Sequence, residues 1–526
     1  MEAEDISVDE NAITVQNLAQ YVKGDVIVNA NVKDISGIGY ARSAASIDLT
    51  ACDVTEIHAN EFERCSVTKI VLPATVNKIG AEAFKDCSKL VTVSLKDKEN
   101  QGLSNITYYG DNAFEGCSSL GDATVSSMKE QVQYLGANVF SGCESITTAK
   151  VPAITSDEGK QTVPANLFNG CSLLQKVKLC DASLTRVGDG AFGYTGNVKF
   201  AVNSDEYGDQ LPSSVSYIGK NAFIGSKIEA LDLSQTAVTE ISENTFREAQ
   251  LDSKILLPAR LKKIGTGAFF HSMAKEVIMP VTVTNVEEDA FRYTTRLEKI
   301  SLSPNIETIS NNTFLGAGSG SFFSDSASYY DPKSKNRLDV VYTDASAKDS
   351  KLSSIGNSAF SGAAIYDDQF LSGLTHLTSI GDKAFSYTDF EVVELPACVE
   401  TLGTEAFNAC ASLKEFDFAE GSKITAIPEG CFSSNKAPKS MKDPDGGNVS
   451  TIYSCIFLEK IRLPEHLVSI GNHAFAHCYN LQTSYAAGTS EKVDTLQFPS
   501  SLTRIGTEAF SKASLYTYNG NNKLTD

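Results

Sequence analysis

The amino-acid sequence predicts an α/β repeat solenoid, built of about seventeen similar coils with short parallel strands on one face and short helical turns on the other. Three observations predict it. Seventeen of the phenylalanines, from Phe62 to Phe510, recur as an anchor, at 22 or 23 residues wherever no insertion intervenes. Five residues before each of these seventeen stands an apolar or aromatic residue, from Ile57 and Ile79 through to Ile470 and Ile505. Twelve residues before, a second apolar position recurs, as at Leu72, Leu211, Met279, Leu395 and Leu463, most often followed by Pro. Offsets held over 450 residues describe a repeating unit, and a period of 20–50 residues is the signature of a stacked array.

Each element of the coil follows from its residues. Ile70-Val71-Leu72, Ile300-Ser301-Leu302 and Ile461-Arg462-Leu463 alternate inward and outward side chains, as a strand does. The Pro that follows has no N–H to donate and ends the ladder. Gly then follows the residue five before Phe in eleven coils, and it is expected to let the chain turn. Asp111, Asp189, Thr266, Asn357, Asp382, Thr404, Asn472 and Thr507 come next and suit the N-cap of one helical turn. That turn is expected to place Ala, present before Phe in eleven coils, and Phe itself in the interior. One coil alone exposes its apolar edge, whereas stacked neighbours bury it continuously.

The phrase L-x-x-[IV]-x-L-P-x-x-[LV]-x-x-I-G-x-x-A-F-x-x-C, nearly intact from Leu458 to Cys478, resembles the BspA-like (Treponema pallidum-type) leucine-rich repeat family. The resemblance covers about residues 44 to 515 and implies a right-handed leucine-rich-repeat stack. It further implies a secreted or surface-anchored bacterial or protist protein with a role in adhesion, and it brings no catalytic motif.

Residues 1–43 lack the Phe anchor but hold two strand-like segments, ITVQNL and DVIVNANV, and read as an N-terminal cap. The solenoid is expected over 44–515, with a short polar tail at 516–526. Insertions near 316–337, 433–454 and 482–492 stretch the period, and LDVVYT after the first is expected to add one strand. All three follow the helical turn, so they should emerge along one edge, where loops on a rigid scaffold often carry function.

Lys and Arg total 45 against 65 Asp and Glu, a formal net charge of −20, which repels phosphate backbones and anionic headgroups. Nucleic acid is therefore not an expected partner. No stretch reaches the roughly 20 apolar residues of a membrane-spanning helix. The acidic start MEAEDISVDENAITV has neither the basic nor the apolar region of a signal peptide, which leaves a cytoplasmic chain or a secreted one whose export signal lies outside this sequence. An extracellular or cell-surface location is the one the resemblance implies.

Of the twelve cysteines, Cys65, Cys87, Cys117, Cys143, Cys171, Cys410 and Cys478 lie three residues after an anchor Phe. A repeat-locked position of that kind reads as a ladder of buried thiols, not a disulfide framework. His473 and His477, four apart beside Cys478, could share a metal, but solvated surface histidines are the simpler reading. Asp443 to Asn448 lacks the spacing of a calcium loop and reads as an Asx-turn. No cofactor, metal or catalytic constellation is expected, and the chain reads as a non-enzyme.

Candidate contact residues are the aromatic cluster Phe322, Phe323, Tyr329, Tyr330 and Tyr342, and the outward positions of the strands. On the latter, Lys176 and Lys178 make a basic spot, Glu394 and Asp417 an acidic one, and Leu256, Ile278 and Arg462 complete a mosaic. Such a surface suits an extended extracellular protein or glycan, on host matrix or another cell, bound by a monomer. A structural stalk or spacer with no ligand of its own is the alternative.

Overall fold

The computed structural model describes residues 24–28, 35, 44–96, 102–157, 159–319, 337–365, 369–433, 454–481 and 496–513, and the backbone at 440–442, 448–450, 483–485 and 492–493. The chain divides into two compact units, Met1–Pro258 and Ala259–Asp526.

Each unit is built from two rows of parallel strands. In the first unit the longer strands begin with Asp25–Ile27, Ser46–Asp48, Lys69–Leu72 and Thr92–Leu95, paired in that order. They resume with Thr148–Val151, Lys176–Leu179 and Lys199–Val202, then Ala230–Asp232 and Lys254–Leu256. In the second unit they are Glu276–Ile278, Lys299–Leu302 and Asp339–Tyr342, followed by Val392–Leu395, Glu415–Phe418, Lys460–Arg462 and Thr483–Tyr485. The strand expected in LDVVYT is thus Asp339–Tyr342. Burial alternates as expected: in Lys69–Leu72, Ile70 and Leu72 are fully buried while Lys69 and Val71 are partly exposed.

The second row consists of two-residue strands, each ending at the apolar residue five before Phe, such as Glu56–Ile57, Lys78–Ile79, Tyr108–Tyr109 and Tyr134–Leu135. Thr308–Ile309, Ser354–Ile355, Ser379–Ile380 and Thr401–Leu402 repeat the arrangement in the second unit.

The expected helical turn is replaced by something else. Two residues before every one of the seventeen phenylalanines φ is positive, from Asn60 at 60° to Glu508 at 53°. Two residues after, Arg64, Asp86, Gly116 and their equivalents are again left-handed. An α-helix has no place for such residues. The chain instead makes overlapping four-residue turns, Ala83 N–H to Gly80 O (3.4 Å), Lys85 to Glu82 (3.1 Å) and Cys87 to Phe84 (3.2 Å). The intervening N–H groups go to the next coil: Asn60 to Ala81 O (3.0 Å), Phe62 to Ala83 O (2.7 Å) and Arg64 to Lys85 O (2.7 Å). A helix would direct these donors along its own axis, whereas here they form a third inter-coil ladder and satisfy the backbone. Type II turns take Asn or Gly where φ is positive, and seven of the seventeen positions are Asn and three are Gly. Helix proper, among the described residues, is confined to Asp122–Ser126 and the 3₁₀ turn Ala347–Asp349.

Two smaller expectations change with it. The residues expected to N-cap a helix reach forward to the next coil: Asp111 accepts from Ala137 N–H (3.0 Å), Asp189 from Lys220 N–H (3.0 Å), and Asn472 from Thr507 N–H (2.9 Å). The Gly beside them serves close approach, not turning. A Cβ on Gly110 would lie 2.4 Å from the backbone N of Ala81, and one on Gly403 2.3 Å from that of Asp382.

The phenylalanines form a spine within each unit. Phe62 to Phe246 stack in sequence, as do Phe269 to Phe510, with neighbouring ring centroids 4.9 to 6.3 Å apart. The rings are fully buried apart from Phe510 in the last described coil. Beside the spine all twelve cysteines are free thiols, ten of them buried. Five ladder thiols donate to the Phe carbonyl of the coil before, Cys87 to Phe62 O (2.9 Å), Cys117 to Phe84 O (3.0 Å), Cys143 to Phe114 O (3.3 Å), Cys171 to Phe140 O (3.1 Å) and Cys410 to Phe385 O (3.2 Å). Cys455 occupies the same station after the insertion that follows Phe432, donating to Phe407 O (3.1 Å). Ser433 and Ser454 close that insertion at its base.

The candidate binding face

The outward side chains of the longer strands form rows across neighbouring coils, because parallel pairing in register brings equivalent positions side by side. In the second unit one row runs Glu394, Asp417, Arg462, and the row beside it runs Val392, Glu415, Lys460. Arg462 Nε stands 3.0 Å from Asp417 Oδ1, both side chains 20% exposed, and Lys460 Nζ lies 3.4 Å from Glu415. Burial pushes the Asp417 carboxyl up to about 6 despite Arg462, with Glu394 and Glu415 adding repulsion. The acidic spot expected at Glu394 and Asp417 therefore borders a basic strand, whose Arg462 and Lys460 pair with Asp417 and Glu415.

A second row of this unit is apolar at both ends: Ile278, Ser301, Val341. Ile278 is 48% and Val341 38% exposed, with Val281 also at the surface. One column over, Glu276, Lys299 and Asp339 stand abreast, with Lys299 Nζ 3.2 Å from Glu276. Tyr342 ends its strand half-buried beside Leu302, and burial pushes its phenol up to about 12. It stands at the end of the strand row. Phe322, Phe323, Tyr329 and Tyr330 lie outside the described residues.

In the first unit the basic spot has a cover. Lys176 is directly opposite Lys199, and Lys178 lies between Lys150 and Ala201. The segment Asn203–Gln210 turns back over them: Lys178 Nζ meets Asp205 at 3.1 Å, Lys176 Nζ sits 5.5 Å from the centre of the Tyr207 ring, and Lys199 bonds Asp209. The segment is tied by Phe200 and Gly208, which exchange two backbone hydrogen bonds of 2.8 Å, and by Gln210 against Asp232. Leu256, on the strand Lys254–Leu256, is half-buried. The sequence reading missed this segment, although Phe192 and Phe223 stand 31 residues apart, longer than the regular coil.

The two histidines of the metal candidate each have another side-chain partner. His473 faces Glu508 at 3.5 Å, and His477 Nδ1 bonds the Tyr479 hydroxyl at 2.9 Å. Asp443 lies outside the described residues. Among the described residues no group of three or more His, Cys, Asp or Glu could hold a metal ion, and no helix is long and apolar enough to cross a membrane.

Stacked coils with three inter-coil ladders, an aromatic spine and rows of outward side chains define a leucine-rich repeat protein. The chain belongs to the BspA-type leucine-rich repeat family: the model described as "BspA type Leucine rich repeat region (6 copies)" matches residues 55–199, 209–319, 345–457 and 447–526. Solved structures of similar fold include a leucine rich cell surface protein from Faecalibacterium prausnitzii A2-165, 18% identical, with 94% of this chain and 92% of that one covered and a TM-score of 0.30. A leucine-rich repeat protein from Bacteroides ovatus is 21% identical over 69% of this chain and 84% of that one, TM-score 0.35. The T. pallidum leucine rich repeat protein is 19% identical over 48% and 78%, TM-score 0.24. Comparison with curated protein sequences gives no match.

Proposed function

We propose that this chain is a secreted or cell-surface protein that binds an extracellular protein or glycan through the outer face of its longer strands, and that it performs no catalysis. The observation that carries this reading is the row Ile278, Ser301, Val341. Two β-branched side chains, 48% and 38% exposed, stand on a rigid parallel ladder at the two ends of that row. Stiff at χ1 and fixed by the strands beneath, they offer apolar contact with little ordering cost on binding. In this reading Glu394, Asp417 and Arg462 supply polar contacts on the second unit and the loop aromatics Phe322, Phe323, Tyr329 and Tyr330 add contact area there, while on the first unit Lys176 and Lys178 supply basic contacts and Leu256 an apolar one. It takes each of the seventeen phenylalanines to mark one right-handed coil.

The test is a binding screen of the chain against immobilised extracellular-matrix proteins, glycans and intact cells, alongside Ile278→Lys/Val341→Lys. The reading expects a ligand whose signal falls at least about tenfold in the double variant, in the range of a lost apolar contact pair. A screen with no ligand, or a ligand indifferent to both substitutions, overturns it.

A further inference from the structure

The lysines of the first unit are an unusual choice. Like charges directly opposite each other on neighbouring strands are unfavourable, yet Lys176 faces Lys199, with Lys178 two residues along the same strand and Lys150 beside it. Lys150 is committed to the carbonyl of Met128 (2.9 Å), and Glu130 lies within electrostatic reach of Lys178. The other three ammonium groups are answered by one short segment of the chain, through Asp205, Tyr207 and Asp209. These are alternate residues, so a stretched peptide sets all three toward the same side. Ala201, which pairs with Lys178 and occupies an outward register position, is only 1% exposed.

We propose that Lys176, Lys178 and Lys199 form a docking surface for an acidic peptide segment of a partner protein, with an acid–aromatic–acid pattern at alternate positions, and that residues 203–210 are its internal stand-in. The contacts of this segment show the ligand chemistry: a carboxylate on Lys178, an aromatic face on Lys176, a carboxylate on Lys199. They are also exchangeable. The Asp205 side chain is 87% exposed, and an ion pair so placed contributes little against solvent. The cation–π contact at 5.5 Å is of the exposed, weak kind. The lysines, by contrast, are held by strand pairing whether or not the segment covers them. An external peptide therefore meets a preformed array of three cations and competes with the side chains of Asp205 and Tyr207 for Lys178 and Lys176, while the backbone of the cover stays tied at Phe200 and Gly208. A tyrosine-bearing peptide is favoured over a sulfated glycan because the aromatic position over Lys176 has no counterpart in a saccharide. This inference stands on contacts of the first unit and is independent of the row Ile278, Ser301, Val341.

The experiment uses the whole chain and a synthetic peptide copying residues 204–210, at low salt. Asp205→Asn/Tyr207→Ala/Asp209→Asn keeps the backbone bonds of Gly208 and removes the two carboxylates and the ring that compete for the lysines. It is expected to bind the peptide about five- to tenfold more tightly than the unchanged chain, because the competent state is no longer taxed by the cover. Adding Lys176→Ala and Lys178→Ala to that variant abolishes the gain. As the chain has no Trp, Tyr207→Trp in the otherwise unchanged chain reports the cover directly, and its emission shifts to the red when the peptide is added. Equal binding by covered and uncovered chains, binding that survives loss of the lysines, a silent Trp, or binding of a heparin oligosaccharide in preference to the peptide each overturns the proposal.

Discussion

The ring of Phe84 lies flat on that of Phe114, centroids 4.9 Å apart and planes 5° from parallel. Phe114 in turn lies on Phe140 at 5.7 Å, so each ring in the spine is a contact between two coils as well as a filler of its own. Phe114→Ala therefore removes a fully buried side chain and two stacking contacts at once. A loss of about 3–5 kcal/mol is expected, read as a lower urea midpoint. Faster hydrogen exchange should centre on the coils around residues 84, 114 and 140, since stability in a repeat array is largely a matter of neighbours. An effect below about 1 kcal/mol would show that the coils do not depend on this stack.

Close approach at the repeated glycine makes a second prediction. In Gly110→Ala the new methyl meets backbone atoms of Ala81 and Gly80 at 2.4 to 2.8 Å, and backbone cannot swing aside. The substitution is expected to cost about 2–3 kcal/mol, the upper range for overpacking. Gly208→Ala, which meets nothing within 4 Å, is the control and should stay within about 0.5 kcal/mol.

The thiol ladder predicts both chemistry and pH dependence. With ten thiols buried and Cys180 and Cys398 partly exposed, a thiol reagent on the native chain should titrate at most these two rapidly, and the rest only in denaturant. Burial pushes the thiols of Cys117, Cys143, Cys171, Cys431 and Cys478 well above their ordinary value. In the unfolded chain they ionise near pH 8.5. The folded state then holds protons that the unfolded state has released, so the ladder's contribution is intact below about pH 8.5 and declines above it. Urea midpoints should fall steadily from pH 8 to pH 10, and less so once Cys143 and Cys171 are both replaced by Ala.

Asp417 has the opposite consequence at the acid end. Its carboxyl titrates at about 6 in the folded chain, above the roughly 3.9 of an unfolded one. The folded state therefore takes up the proton first, and stability attributable to this group rises as pH falls from 6 toward 4. Asp417→Asn mimics the protonated form at every pH. Relative to the unchanged chain it should gain about 1–2 kcal/mol at pH 7 compared with pH 4.5, measured by urea unfolding at both. A constant difference between the two would mean that Arg462 fully compensates the charge.

Much of this was readable from residue order alone, for a physical reason. The spacing of Phe84, Phe114 and their equivalents, and of the apolar residue five before each, records which side chains must be inward in every coil. Burial depends on that pattern and not on distant contacts. The ladder position of Cys87, Cys117 and Cys143 was legible for the same cause. What a sequence pattern does not carry is the direction of backbone donors. Helical turn and left-handed turn place Ala and Phe inward equally well, and the clue that separates them, Asn or Gly two residues before Phe, has meaning only once the next coil is there to accept those N–H groups.

The amino-acid sequence alone determined the repeat and its interior, since apolar periodicity compels coils to stack, and its repeated phrase carried the resemblance to the BspA-type family. Tertiary structure decided what became of the surface. Lys176 and Lys178 read as a bare basic spot until Asp205 and Tyr207, nearly thirty residues on, are seen to lie against them. Glu394 and Asp417 read as acidic until Arg462, on the next strand of the row, is seen to meet Asp417. Charge acts through space, so its effect is fixed by which coils lie side by side and by which segments turn back across them.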